Sequence, residues 1–165
     1  MIGDPMATPE RCNHLAVASD LDAMDTVLGW FEGIPHADVP SLLWLQGQMA
    51  LVEGFTNAVR HAHADLDPPP DVQLSVGLSD GEFSLEVTDH GRPFDLASAL
   101  AQLEAEAPGI EDDPLAREAH WGLFLMMKLR RDHGWTITYR RQEDDRNCLC
   151  LRHPFEAAGA LDSGW

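Results

Sequence analysis

Two runs of alternating apolar residues, Val72-Leu74-Val76-Leu78 and Phe83-Leu85-Val87, flank the four residues SDGE (79–82). A period of two, interrupted by a glycine-containing turn, predicts a β-hairpin with one apolar and one polar face. Such a sheet must be covered on its apolar side and can meet water on the other. The remainder of the chain therefore has to supply a layer of helices. Just upstream, DLDPPPD (65–71) ends any helix that precedes the hairpin, because three successive prolines cannot continue it.

The flanking segments fit that demand. HLAVAS (14–19) reads as a short strand, and Ser19 or Asp20 can cap a following helix in which Leu21, Met24, Leu28 and Phe31 form an inward stripe until Gly33 and Pro35 stop it. Pro40 and Ser41 open the longest periodic segment, reaching about residue 65, with Leu42, Leu45, Met49, Val52, Phe55 and Val59 expected to face the core. LASALAQLEAEA (96–107) has helical propensity, whereas PGIEDDPLAREAH (108–120) is acidic, contains two prolines and predicts a mobile loop. WGLFLMMKLRR (121–131) returns to helix, and Trp135-Ile137-Tyr139 and Leu149-Leu151 alternate as two further strands. Cys148 and Cys150 would share one face of a strand as small buried or half-buried residues. The expected fold is α+β, a two-layer α/β sandwich whose mixed, mostly antiparallel sheet is covered by helices on one face. No βαβ unit with a glycine fingerprint supports a Rossmann fold.

At 165 residues the chain suits one domain, spanning 13–153, between a flexible N-terminus (1–12) and a flexible tail (154–165). Its formal net charge of -17 disfavours direct binding to nucleic acid, whose phosphates call for a basic surface, and is compatible with a basic protein partner. No apolar run approaches the roughly 20 residues needed to cross a bilayer, so a soluble, cytoplasmic protein without membrane contact is expected. Three cysteines with no C-x-x-C fit a reducing compartment better than a disulfide framework.

Within the long helix, EGFTNAVRHAH (53–63) places Glu53, Asn57 and His61 four residues apart along one side, with Phe55 and Val59 pointing away. The stripe is either a solvated polar face or part of a site. His61 and His63 face different ways and do not read as a metal pair. In VTDHGRPFD (87–95), Asp89 ends a buried strand and Gly91 follows two residues later. An acceptor-only carboxylate there can take a hydrogen bond from the exocyclic amine of adenine, with Gly91 allowing the backbone to approach a flat ligand. An ordinary turn after a strand uses the same two residue types.

Together these segments resemble the ATP-binding fold shared by gyrase, Hsp90, histidine kinases and MutL (GHKL), and within it the anti-sigma-factor serine/threonine kinases. LVEGFTNAVRHAH resembles their N box, VTDHGRPFD their first glycine box, HWGLFLMMKLRRD their second and RNCLCL their closing strand, over about residues 14–153. The resemblance implies that Glu53 is the general base and that Asn57 gives its side-chain oxygen to Mg²⁺. Arg60 and His61 would lie near phosphate, with a plain surface or helix-face role as the alternative for each. Asp89 would read the adenine amine and Gly91 would clear space for the ring, while Phe94 packs in the core. Gly122 and Leu123 would open a helix whose backbone N–H groups meet the phosphates, and Arg117 would be a basic residue of a lid formed by the acidic segment 108–120.

ATP or ADP and Mg²⁺ are the implied cofactors. The implied partners are a small STAS-type anti-sigma-factor antagonist, phosphorylated on serine or threonine, and a sigma factor or other regulator that competes with it, the whole acting as a homodimer. The chain departs from the family at His120 and Trp121, which stand where a glycine-rich turn is usual. The alternative is a binding module, nucleotide-gated or nucleotide-independent, that sequesters a regulatory partner without transferring phosphate.

Overall fold

The computed structural model describes residues 11–79, 81–111 and 121–156, apart from the side chains of 107–111. Its strands are β1 (Arg11–Val17), β2 (Val72–Ser79), β3 (Glu82–Asp89), β4 (Thr136–Arg141) and β5 (Asn147–Pro154). They form one sheet in the order β1-β2-β3-β5-β4, and every pairing is antiparallel where a mixed sheet was expected. The register aligns Leu15, Leu74, Val87, Leu149 and Tyr139 across all five strands on one face. Val76, Leu85, Leu151 and Ile137 make the next row. The opposite face carries the exposed Cys12, His14, Ala16, Gln73 and Arg152, so it meets water. Cys148 and Cys150 lie on that face too, the first buried and the second half-buried.

The helices are α1 (Met24–Gly33), entered through a 3-10 turn at Leu21–Ala23, α2 (Ser41–Asn57), α3 (Leu96–Glu111) and α4 (Trp121–Asp132). Asp20 caps the first turn by accepting the Asp22 N–H at 2.9 Å. Val27 and Phe31 are the buried residues of α1, while Leu21, Met24 and Leu28 are half-buried. Strand β1 takes in Arg11 and Cys12, earlier than HLAVAS, and its edge is tied by the Arg11–Asp38 ion pair at 2.7 Å.

Helix α2 presents a different side to the sheet from the one its bulky residues predict. Leu43, Trp44, Gln46, Gly47, Ala50, Leu51, Gly54 and Phe55 are buried, whereas Leu42, Leu45 and Met49 are 64%, 50% and 38% exposed. The reason is proximity. A Cβ added at Gly47 would fall 2.3 Å from the Phe83 ring, and one at Gly54 would fall 3.0 Å from Val87. Small residues let the helix axis approach the sheet, and Trp44 then stacks between Phe31 and His36 with centroids 4.0 and 4.1 Å away. Trp135, also buried, satisfies its indole N–H on Gln46 Oε1 at 2.9 Å. Each large side chain removed from water in this layer contributes roughly 1.5–3 kcal/mol.

Two further boundaries differ from expectation. Helix α3 continues to Glu111 through Pro108 and Gly109, where a loop was expected from 108. A proline inside a helix forfeits one N–H bond, here to residue 104, without forbidding the turns that follow. Residues 112–120, the rest of the expected lid, lie outside the described residues, as do 1–10 and 157–165 of the expected flexible ends. Helix α2 does not run regularly to residue 65 but widens into a π-helical turn at Ala58–Ala62. Turns of that kind often mark functional positions in helices.

Candidate functional site

The register that aligns the core also brings polar groups together where β3 ends and β5 begins. Asp89, 4% exposed, pairs across the sheet with Asn147, 1% exposed. Its Oδ1 accepts from the Gly91 N–H at 2.8 Å and from Asn147 Nδ2 at 2.9 Å, and its Oδ2 accepts from the Tyr139 hydroxyl at 2.7 Å. Asn147 Nδ2 also reaches the carbonyls of Gly91 and Arg92 at 3.1 and 3.2 Å. Arg141 closes the ring by donating from Nη1 to the Gly91 carbonyl at 2.8 Å and to Asn147 Oδ1 at 3.2 Å. Burial, then the bond to Asp89, push the Tyr139 phenol above its ordinary range, so it keeps its proton at neutral pH.

Tyr139, Arg141 and Asn147 were not singled out from the sequence as site residues. Parity carried the signal. Asn147 shares its strand face with Leu149 and Leu151, and a polar residue at a core-facing position of a strand demands a partner.

His63 ties the same loop to the start of α1. It is 3% exposed, its Nε2 accepts from the His90 backbone N–H at 2.9 Å, and its Nδ1 lies 2.9 Å from Ser19 Oγ. With Nε2 accepting, Nδ1 carries the proton of a neutral ring. Burial lowers the His63 pKa, partly offset by the charge of Asp89, with His90 lowering it further.

The helical side of the site is built differently. Glu53 and Asn57 lie on α2, half-buried, facing the first turn of α4. A Cβ on Gly122 would stand 2.9 Å from Glu53 Oε2 and 3.3 Å from Asn57 Nδ2, so the absence of a side chain there keeps both groups open to the amide end of α4. Neither the Glu53 carboxylate nor the Asn57 amide has a hydrogen-bond partner among the described residues. Burial raises the Glu53 pKa, and the charge of Arg60 opposes that rise.

One cavity of about 680 Å³ is walled by Asn57, His61, Asp89, Gly91, Gly122 and Leu123, all singled out from the sequence, together with Phe94, Tyr139 and Arg141. Its size suits a nucleotide-sized ligand. Three predicted site residues are absent from the wall, the first being Glu53, which stands beside Gly122 without lining the cavity. Arg60 is exposed and does not line the cavity, and Arg117 lies outside the described residues. Two roles also change. Phe94 is 52% exposed and stands edge-on to Tyr139 at 6.1 Å, at the cavity wall instead of in the core, because Leu96 takes the buried position at the start of α3. Gly91 clears room for protein: a Cβ there would fall 2.7 Å from Ala62 Cβ, against the widened turn of α2.

The residues present fit a magnesium nucleotide on their own chemistry. A carboxylate can accept about four hydrogen bonds and Asp89 receives three, leaving one acceptor site on Oδ2 for a base. The uncommitted amide oxygen of Asn57 is a hard ligand suited to Mg²⁺, and the N–H groups that open α4 suit phosphate.

A family model described as the histidine kinase-like ATPase domain matches residues 17–153. Among solved structures, a chain of the SiaB–SiaC complex from Pseudomonas aeruginosa is similar at 15% identity, over 85% of this chain and 88% of that chain, with a TM-score of 0.46. No curated protein matches the chain significantly.

Proposed function

The chain belongs to the histidine kinase-like ATPase domain family, and from that premise we propose that it is a Mg²⁺- and ATP-dependent protein serine/threonine kinase. The acceptor would be a small STAS-type anti-sigma-factor antagonist in a partner-switching circuit, with a sigma factor or another regulator as the competing partner and a homodimer as the working form. The observation that carries this reading is the meeting of Glu53, Asn57 and the N-terminus of α4 around Gly122, at the edge of the cavity that Asp89 also lines.

Asn57 would hold Mg²⁺ through its amide oxygen, the Gly122 and Leu123 end of α4 would bind phosphate oxygens, and Asp89 would orient the base. When bound, Mg²⁺ supplies neutralisation of the charge on the phosphate oxygens. Glu53, its basicity increased by desolvation, would take the proton of the attacking hydroxyl as that oxygen bonds to the γ-phosphorus and ADP departs. A protein acceptor is supported by the surface beside it. Leu42, Leu45 and Met49 are exposed at i, i+3 and i+7 on α2, and Glu53 continues that stripe at i+11. An apolar track that leads to the proposed base suits a macromolecule bringing its hydroxyl to Glu53.

A second reading, a binding module without transfer, draws on Trp121, 46% exposed at the first turn of α4 where the family favours glycine. Substituting Glu53→Gln separates the two. With STAS-domain proteins offered as acceptors, mass spectrometry should find a phosphorylated serine or threonine, and the variant should lose about 10²–10⁴-fold in rate while binding ATP as before. Transfer unaffected by the substitution would remove Glu53 from the mechanism. Binding of ATP and partner with no transfer by the wild type would select the binding module.

A further inference from the structure

The hydrogen-bond inventory around Asp89 assigns a role to the tyrosine beside it. An ionised carboxylate only accepts, so at the 2.7 Å contact between Tyr139 Oη and Asp89 Oδ2 the phenol must be the donor. That commits its single hydrogen, so Oη, on a residue that lines the cavity, has only lone pairs left to offer, and the Asn147 amide stands near enough to claim one of them. Asp89 Oδ1 already receives Gly91 N–H and Asn147 Nδ2, so the unfilled acceptor site of the carboxylate is on Oδ2, beside Oη. Both residues line the cavity. Two adjacent acceptors thus stand on residues of the wall, and the one proton between them is already committed.

We infer that Tyr139 is a base-specificity residue, which with Asp89 forms a paired acceptor for an exocyclic amino group and excludes a ring carbonyl from the same position. The inference rests on the cavity being a nucleotide site and extends it to the choice of base. An amino group can point one hydrogen at the close pair of Oδ2 and Oη and share it between them. A 6-oxo purine would set its oxygen against both with no hydrogen to share, and an unpaired buried polar group is costly. Sites built to pair a particular group discriminate strongly against an analogue that lacks it. Asp89 alone would be more permissive, because a water in place of the hydroxyl can donate to Oδ2 and to a ligand carbonyl at once.

The test compares wild type with Tyr139→Phe, which removes the hydroxyl and keeps the ring that meets Phe94 edge-on at 6.1 Å. Calorimetric titrations would use ATP, inosine triphosphate, which carries a carbonyl at the purine 6-position, and purine riboside triphosphate, which carries only hydrogen there. Wild type should prefer ATP to inosine triphosphate by about 100-fold or more, and the variant should reduce that ratio by about tenfold. Affinity for purine riboside triphosphate should stay within about twofold, since that base has no group to read. An unchanged ratio in a folded variant that still binds ATP would overturn the role of Tyr139 alone. An equal loss for all three nucleotides would make it a framework residue and overturn the inference. Failure of folded wild type to bind any of them would overturn the nucleotide site itself and this inference with it.

Discussion

The two sides of the cavity solve opposite problems. At the sheet end, Asp89, Asn147, Tyr139 and Arg141 bond chiefly to one another and to the Gly91–Arg92 backbone, and only one acceptor site of the carboxylate is spare. At the helix end, Glu53 and Asn57 have no hydrogen-bond partner among the described residues and face the open position at Gly122. Saturated polar groups hold a shape, whereas uncommitted ones wait for a ligand. Recognition of a flat base profits from rigidity and a network in which every group is satisfied. Chemistry at phosphate needs free oxygens and amides that a metal and its ligand can claim.

The sharpest way to break that contrast is Asp89→Ala. It strips the Asn147 amide and the Tyr139 hydroxyl of a shared partner, and unsatisfied buried groups cost about 1–3 kcal/mol each, so a loss of about 3 kcal/mol or more is expected in urea unfolding. A loss below about 1 kcal/mol would show that the network does not carry the loop's shape.

A smaller effect belongs to His63, whose Nε2 cannot gain a proton without breaking its bond from the His90 N–H. Its pKa in the folded protein lies below the ordinary 6.5, so the unfolded chain binds the proton more readily. Stability from this residue is complete above pH 6.5 and lost as pH falls through the folded value. Unfolding followed at neutral and at acidic pH should show a decline that His63→Asn makes shallower, and an identical decline in both proteins would rule the residue out as its source.

The smallest change in stability is expected at the helix end. Asn57→Ala should alter it by no more than about 0.5–1 kcal/mol, because no structural bond is lost. A penalty as large as that of Asp89→Ala would erase the distinction between the two ends.

How far this arrangement is legible from the chain alone follows the same division. The hairpin and the β4–β5 pair show themselves because alternation with period two marks a one-sided sheet directly. Glu53, Asn57, Asp89 and Gly122 are marked by local motifs, and the fold sets Asn57, Asp89 and Gly122 around one cavity with Glu53 beside Gly122. The phase of α2 misleads because periodicity counts bulky apolar residues. The packed face uses Gly47, Ala50 and Gly54, whose virtue is to be small against Phe83 and Val87. Tyr139 and Asn147 reach Asp89 from 50 and 58 residues away, so their meeting depends on strand register rather than on any local pattern. The Gly91–Ala62 contact is hidden for the same reason, since it joins the π-helical turn after α2 to the loop after β3.

The central claim is that these two ends make one magnesium-nucleotide site, and it is tested most directly by titrating the purified protein with ATP, with and without Mg²⁺, beside a folded Asn57→Ala variant. The account predicts ATP binding that Mg²⁺ strengthens in wild type, and a variant in which that Mg²⁺ dependence is gone. No binding by well-folded wild type at millimolar ATP, or a full Mg²⁺ effect without Asn57, would contradict it.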